Sequence, residues 1–140
     1  MKKIITISLF ILAAAFLIAG NITQDLAEDR TEILKDQREL DNKRKELQIK
    51  YSNKPSKLAE KLAKLDEKQA ELNYEKAELA FKNDNISLLK QIDDKRREIH
   101  LERGKSNPDW NKIEKLTNER DSLENQFDVK KNEFKSKYYQ

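Results

Sequence analysis

His100 is the single histidine of this chain, cysteine is absent, and the one methionine is Met1. A transition-metal centre would therefore have to combine one imidazole with carboxylates, a poor donor set for such ions. Asp93, Asp94, Glu98 and Glu102 gather just upstream of Gly104, but Lys95, Arg96, Arg97 and Arg103 stand among them. A hard cation needs several convergent oxygens without competing positive charge. The pattern instead predicts a solvated, ion-paired helix face. No glycine-rich phosphate loop, no Ser-His-Asp set and no carboxylate pair in an apolar setting occurs. The expectation is a protein that is not an enzyme, with no catalytic residue, no metal and no cofactor. The aromatic residues are the other chemistry-bearing group. Trp110, Phe127, Phe134, Tyr138 and Tyr139 all fall in the last thirty-odd positions. Phe127 and Phe134 recur at a seven-residue interval and read as core. Trp110 and Tyr139 lie off that stripe and are the candidate partner-contact residues, with packing over a hairpin tip an equal reading for Trp110.

The elements that position these residues follow from apolar periodicity. Between Lys57 and Arg103 there is no Pro and no Gly before Gly104, and two stripes run at helical spacing. One holds Leu58, Leu62, Leu65, Leu72, Leu79 and Ile86. The other holds Ala63, Ala70, Tyr74, Ala77, Phe81, Leu88, Ile92 and Ile99. At about 100° per residue, Leu65 and Ala63 point roughly 160° apart, so the pattern predicts one central helix packed on both sides. Upstream, Leu26, Ile33, Leu40 and Leu47 recur every seven residues and predict a helix over Asp25–Ser52 that ends near Asn53, before Pro55. Folding about Pro55 sets Leu47 near Leu62, Leu40 near Gln69 and Ile33 near Lys76. Downstream, Gly104 is expected to close the central helix in a left-handed cap conformation. Asn107 is the expected N-cap of the next helix, with Pro108 at its first position and Trp110 at its third. That helix carries Ile113, Leu116, Leu123, Phe127 and Phe134, and folding it back sets Leu88 near Leu123 and Ala77 near Phe134. The fold class expected is all-α: an elongated, antiparallel three-helix coiled-coil hairpin arrangement over residues 21–140, following an N-terminal signal segment.

Residues 1–20, MKKIITISLFILAAAFLIAG, have the parts of a bacterial export signal: Lys2 and Lys3, an apolar run Ile4–Ile18, and small residues Ala19 and Gly20. Left uncleaved, the same segment would be an anchor, although an apolar run of about 16 residues is just short of the roughly 17–25 that span a bilayer. Either way the remainder is expected in the periplasm or cell envelope, with membrane attachment only through residues 1–20 if they are retained. Charged residues make up 39% of the 140, with 29 basic and 26 acidic. Without Lys2 and Lys3 this leaves 27 against 26, interspersed, which is no electrostatic footprint for nucleic acid or an anionic membrane.

The segment Lys95–Tyr139, KRREIHLERGKSNPDWNKIEKLTNERDSLENQFDVKKNEFKSKYY, has a long charged helix, a turn reading NPD and a returning helix with Ile and Leu at the following heptad positions. In these features it resembles the helical hairpin of the Spy/CpxP-type periplasmic stress proteins and the related periplasmic heavy-metal sensors. The paired LTxxQ motif of that family is missing; Leu116-Thr117-Asn118-Glu119-Arg120 is the nearest match and falls in a different place. The resemblance implies an all-helical envelope protein, a homodimer or higher homo-oligomer, that binds unfolded or misfolded proteins as an ATP-independent, chaperone-like or stress-response factor. The alternative from the residues themselves is a structural or adhesive coiled coil of the envelope, FadA-like in character.

Overall fold

The structure is a computed structural model that describes residues 22–139. The export-signal reading of residues 1–20 lies outside the described residues. Helices make up 90% of the described residues, with no strand among them. Four helices follow one another: α1 (Ile22–Lys50), α2 (Pro55–Asp84), α3 (Ile86–Arg103) and α4 (Trp110–Tyr138). They fall into two compact units divided between Asn83 and Asp84. The first is the α1–α2 hairpin and the second the α3–α4 hairpin.

The first hairpin is held by the heptad stripe of α1. Ile33 and Leu40 pack with Leu65 and Leu72 of α2, and the half-buried Leu47, Leu62 and Leu79 close around them. One apolar residue per heptad on α1 leaves every second layer polar, and here those layers are bonded rather than empty. The amides of Gln37 and Gln69 donate to one another, each at 2.9 Å, and Lys76 Nζ donates to Gln37 Oε1. Arg44 reaches Asp66 at 2.9 Å. These pairs run antiparallel, with Gln37, which lies between Ile33 and Leu40, bonded to both Gln69 and Lys76. A reciprocal amide pair tolerates a one-residue slip poorly, because the slip would leave part-buried donors and acceptors unmatched. Pro55 opens α2 as expected, where its missing N–H costs nothing. The turn before it is closed by Lys54 N–H donating to the Tyr51 carbonyl at 2.9 Å.

The stretch Lys57–Arg103 is not one helix. It breaks at Asn85, which has φ −108° and ψ 19° between two helical segments. The second stripe is also not uniformly covered. Ala63 and Ala70 are exposed, while Tyr74, Ala77 and Phe81 are half-buried. Alanine at helical spacing is as compatible with a solvated face as with a close-packed one, so the Ala positions overstated that stripe. Ala77 belongs to the first unit and Phe134 to the second.

A carboxylate group sits on the first hairpin. Glu75 is pushed above the ordinary glutamate range, first by burial and then by Asp36, Glu32, Glu71 and Glu78. Its folded pKa is the higher one, so this group favours the folded hairpin most at low pH, and that benefit fades as pH rises through the raised value.

Candidate functional site

The candidate site is the closed end of the α3–α4 hairpin, which contains Glu102, His100 and Trp110. Beneath it, Ile99 of α3 packs with Ile113 and Leu116 of α4, all three buried. Apolar burial at these positions brings the two helix ends together and forces the six residues between Arg103 and Trp110 into a tight connection. Gly104 ends α3 in the right-handed region, φ −77° and ψ −6°, with its N–H bonded to the His100 carbonyl at 3.1 Å. The expected left-handed cap is therefore not used. The chain simply prolongs the helical turn by one residue, which an α-helix end allows without a change of hand. The N-cap is also displaced from the expected Asn107. Asp109 caps α4, its carboxylate accepting from Lys112 N–H at 3.0 Å, so Pro108 lies outside the helix and Trp110 is its first residue. A carboxylate at this position bonds a first-turn amide and also meets the positive end of the helix, which an asparagine two residues earlier does not.

Glu102 is the centre of this end. Its side chain is 5% exposed, yet it accepts from Lys105 Nζ at 2.6 Å, from the Asp109 backbone N–H at 3.1 Å, and lies 3.3 Å from Lys112 Nζ. One buried carboxylate thus ties together the end of α3, the turn and the first turn of α4. The Lys105 hydrogen bond, followed by that from Asp109, lowers the Glu102 pKa to about 2. A carboxylate held so far down is a feeble proton acceptor near neutrality, and its three contacts tie the turn to both helices. The expectation of a fully solvated ion-paired face is corrected here for two residues. Glu102 is buried, and so is Asp93, which pairs with Arg97 at 2.6 Å. Asp94 and Glu98 are exposed as expected. The burial of Glu102 was hidden because its partners lie across the turn, at positions 105, 109 and 112, where helical spacing gives no guide.

Further along, Lys95 bonds Glu119 at 2.7 Å and Arg96 bonds Glu124 at 2.6 Å, both across the hairpin. The Lys95 hydrogen bond lowers the Glu119 pKa, and Glu119 in turn raises that of Lys95. No group of three or more His, Cys, Asp or Glu side chains among the described residues is arranged to hold a metal ion.

The two candidate partner-contact residues are exposed but are not brought together. Trp110 is 67% exposed and Tyr139 75%. Trp110 opens the 29-residue helix α4 and Tyr139 caps its end, so at about 1.5 Å per residue they stand roughly 40 Å apart. Leu101, near the end of α3, is 69% exposed. Tyr139 packs edge-on to Tyr138, with ring centres 5.6 Å apart, and Tyr138 meets Phe134 at 6.1 Å. His100 is exposed on α3.

Acid should loosen this end. The Glu102 pKa is about 2 in the folded chain against 4.5 for a free glutamate. Its contribution is therefore fully present above pH 4.5 and is lost as pH falls from there toward 2. Glu119 acts with the same sign. Urea unfolding followed across this window should show falling stability in the native chain, and Glu102→Gln should remove most of the Glu102 share of the fall. An identical pH slope in the variant would contradict the role assigned to this carboxylate.

Comparison with protein-family models, with curated proteins and with solved structures finds no match to this chain.

Proposed function

We propose that this chain is an exported protein of the periplasm or cell envelope that binds unfolded or misfolded proteins without nucleotide, in the manner of a holdase-like stress-response chaperone. The observation that carries this reading is the character of the helix surfaces. Large apolar side chains, namely Ile49, Leu101, Trp110 and Tyr139, stand at 67–79% exposure among lysines and arginines on helices whose own cores do not use them. Scattered apolar contacts with long aliphatic stems around them suit weak binding of varied sequences, because neither shape nor a polar code restricts the partner. The export-type segment of residues 1–20 and the hairpin resemblance of Lys95–Tyr139 point the same way. Self-association into a dimer or higher oligomer belongs to the same proposal: hairpins with one apolar residue per heptad leave much helix surface available for a second copy.

The test is suppression of aggregation of an unrelated, thermally unfolding protein by the chain lacking residues 1–20. Suppression is expected near stoichiometric ratio, unchanged by chelator or ATP and unchanged by His100→Ala. It should fall at least about twofold in the Trp110→Ala/Tyr139→Ala double variant, since exposed aromatics supply a disproportionate share of contact energy. No suppression at several-fold molar excess would overturn the proposal, and the structural or adhesive reading would then take its place.

A further inference from the structure

We propose that the α3–α4 hairpin is an acid-released latch, which opens as its carboxylates take up protons and presents Ile99, Ile113 and Leu116, while the α1–α2 hairpin stays closed. The geometry behind this is the kind of bond that crosses each hairpin. Three carboxylates tie α3 to the turn and to α4. Glu102 accepts from Lys105 Nζ at 2.6 Å and from the Asp109 N–H at 3.1 Å, with Lys112 Nζ at 3.3 Å. Glu119 meets Lys95 at 2.7 Å and Lys115 of its own helix at 4.0 Å, while Asp94 and Glu98 of α3 also act on Lys95. Glu124 meets Arg96 at 2.6 Å and Arg120 of its own helix at 3.8 Å. The cap of α4 is a carboxylate as well, Asp109 accepting from the Lys112 N–H at 3.0 Å. A protonated carboxyl keeps its shape but loses the charge that makes such bonds strong.

The α1–α2 hairpin is bonded differently. Gln37 and Gln69 donate to one another and Lys76 donates to Gln37, so these bonds end on amide oxygens, which do not titrate. The Arg44–Asp66 pair does use a carboxylate, but Asp66 is 64% exposed, where an ion pair contributes little. Burial first, and then Asp36 and Glu32 of α1 with Glu71 and Glu78 of α2, disfavour charge on Glu75, so a proton taken up there relieves repulsion. The two hairpins therefore answer acid with opposite sign. Glu102, held at about 2 first by Lys105 against 4.5 when free, and Glu119, lowered by Lys95, give up stability as pH falls below the ordinary glutamate range. Glu75 gains it as pH falls through its raised value. The surface released is apolar: Ile99, Ile113 and Leu116 are the buried cluster of the closed hairpin, each 4–5% exposed. The latch does not depend on what the chain binds at neutral pH.

The test is amide exchange of the wild-type chain by NMR near neutrality and at about pH 3, read as protection factors, which remove the intrinsic pH dependence of exchange. Protection around Ile99, Ile113 and Leu116 should fall at least about fivefold in acid, while that around Ile33, Leu40, Leu65 and Leu72 holds or rises. A dye that fluoresces on apolar surface should brighten over the same interval. Glu102→Gln keeps the size of the side chain without its charge. Near neutrality it should already lower protection around Ile99, Ile113 and Leu116, leave the first hairpin at wild-type protection, and shrink the further loss in acid. Equal loss of protection in both hairpins on acidification would overturn the proposal. So would unchanged protection around Ile99, a flat dye signal, or a Glu102→Gln profile identical to wild type at both pH values.

Discussion

Leu72→Ala is expected to lower the stability of the first hairpin by about 2–4 kcal/mol, among the largest effects of any single truncation in the chain. Leu72 is 4% exposed and packs with Ile33, Leu40 and Leu65. Truncating it removes three carbons from a layer whose neighbouring layers are polar. Gln37, Gln69 and Lys76 are fixed by their own hydrogen bonds, so the core has little freedom to collapse into the gap. Leu34→Ala is the control. That side chain is 49% exposed, and its truncation should change stability by no more than about 0.5 kcal/mol. In urea the Leu72 variant should shift the midpoint with the slope retained. Equal midpoints for the two variants would mean that the α1 stripe does not pack where the structure puts it.

The second large effect is expected at Ile99. It is 4% exposed and clusters with Ile113 and Leu116 among the described residues. Ile99→Ala should cost about 2–4 kcal/mol of α3–α4 stability, and the loss should extend to the turn, because Glu102, which ties the turn to both helices, lies three residues on from Ile99 in α3. Trp110→Ala, by contrast, removes an exposed ring and should stay within about 0.5 kcal/mol. Thermal unfolding by circular dichroism distinguishes the two. A Trp110 variant as destabilised as the Ile99 variant would place Trp110 in the packing over the tip rather than in contact with a partner.

Much of this fold was legible in residue spacing. Leu26, Ile33, Leu40 and Leu47 at sevenfold intervals, with Pro55 behind them, fix α1 and the sense of its pairing, because apolar period and turn chemistry agree. The break at Asn85 carries no Gly or Pro signal, because the weak helix propensity of Asn83–Ser87 is spread over five residues. The alanines of the second stripe misled in the opposite direction. Ala63 and Ala70 match a buried period, but alanine is common on exposed helix faces for reasons of entropy alone. At the hairpin end the failure has a different cause. Whether Glu102 is buried depends on Lys105, Asp109 and Lys112 converging across a turn, and only the folded backbone sets that convergence. The distance between Trp110 and Tyr139, once both were placed on one long helix, needed only its rise per residue.

Among the described residues, one buried apolar cluster lies in each hairpin, on either side of Asn85. Native-state amide hydrogen exchange of the wild-type chain, Leu72→Ala and Ile99→Ala tests it most directly, since exchange reports stability residue by residue. The expected result is that Leu72→Ala speeds exchange at the protected amides around Ile33, Leu40 and Leu65 and leaves those around Ile99, Ile113 and Leu116 near wild-type rates, while Ile99→Ala does the reverse. Both substitutions accelerating both sets of amides to the same degree would contradict it.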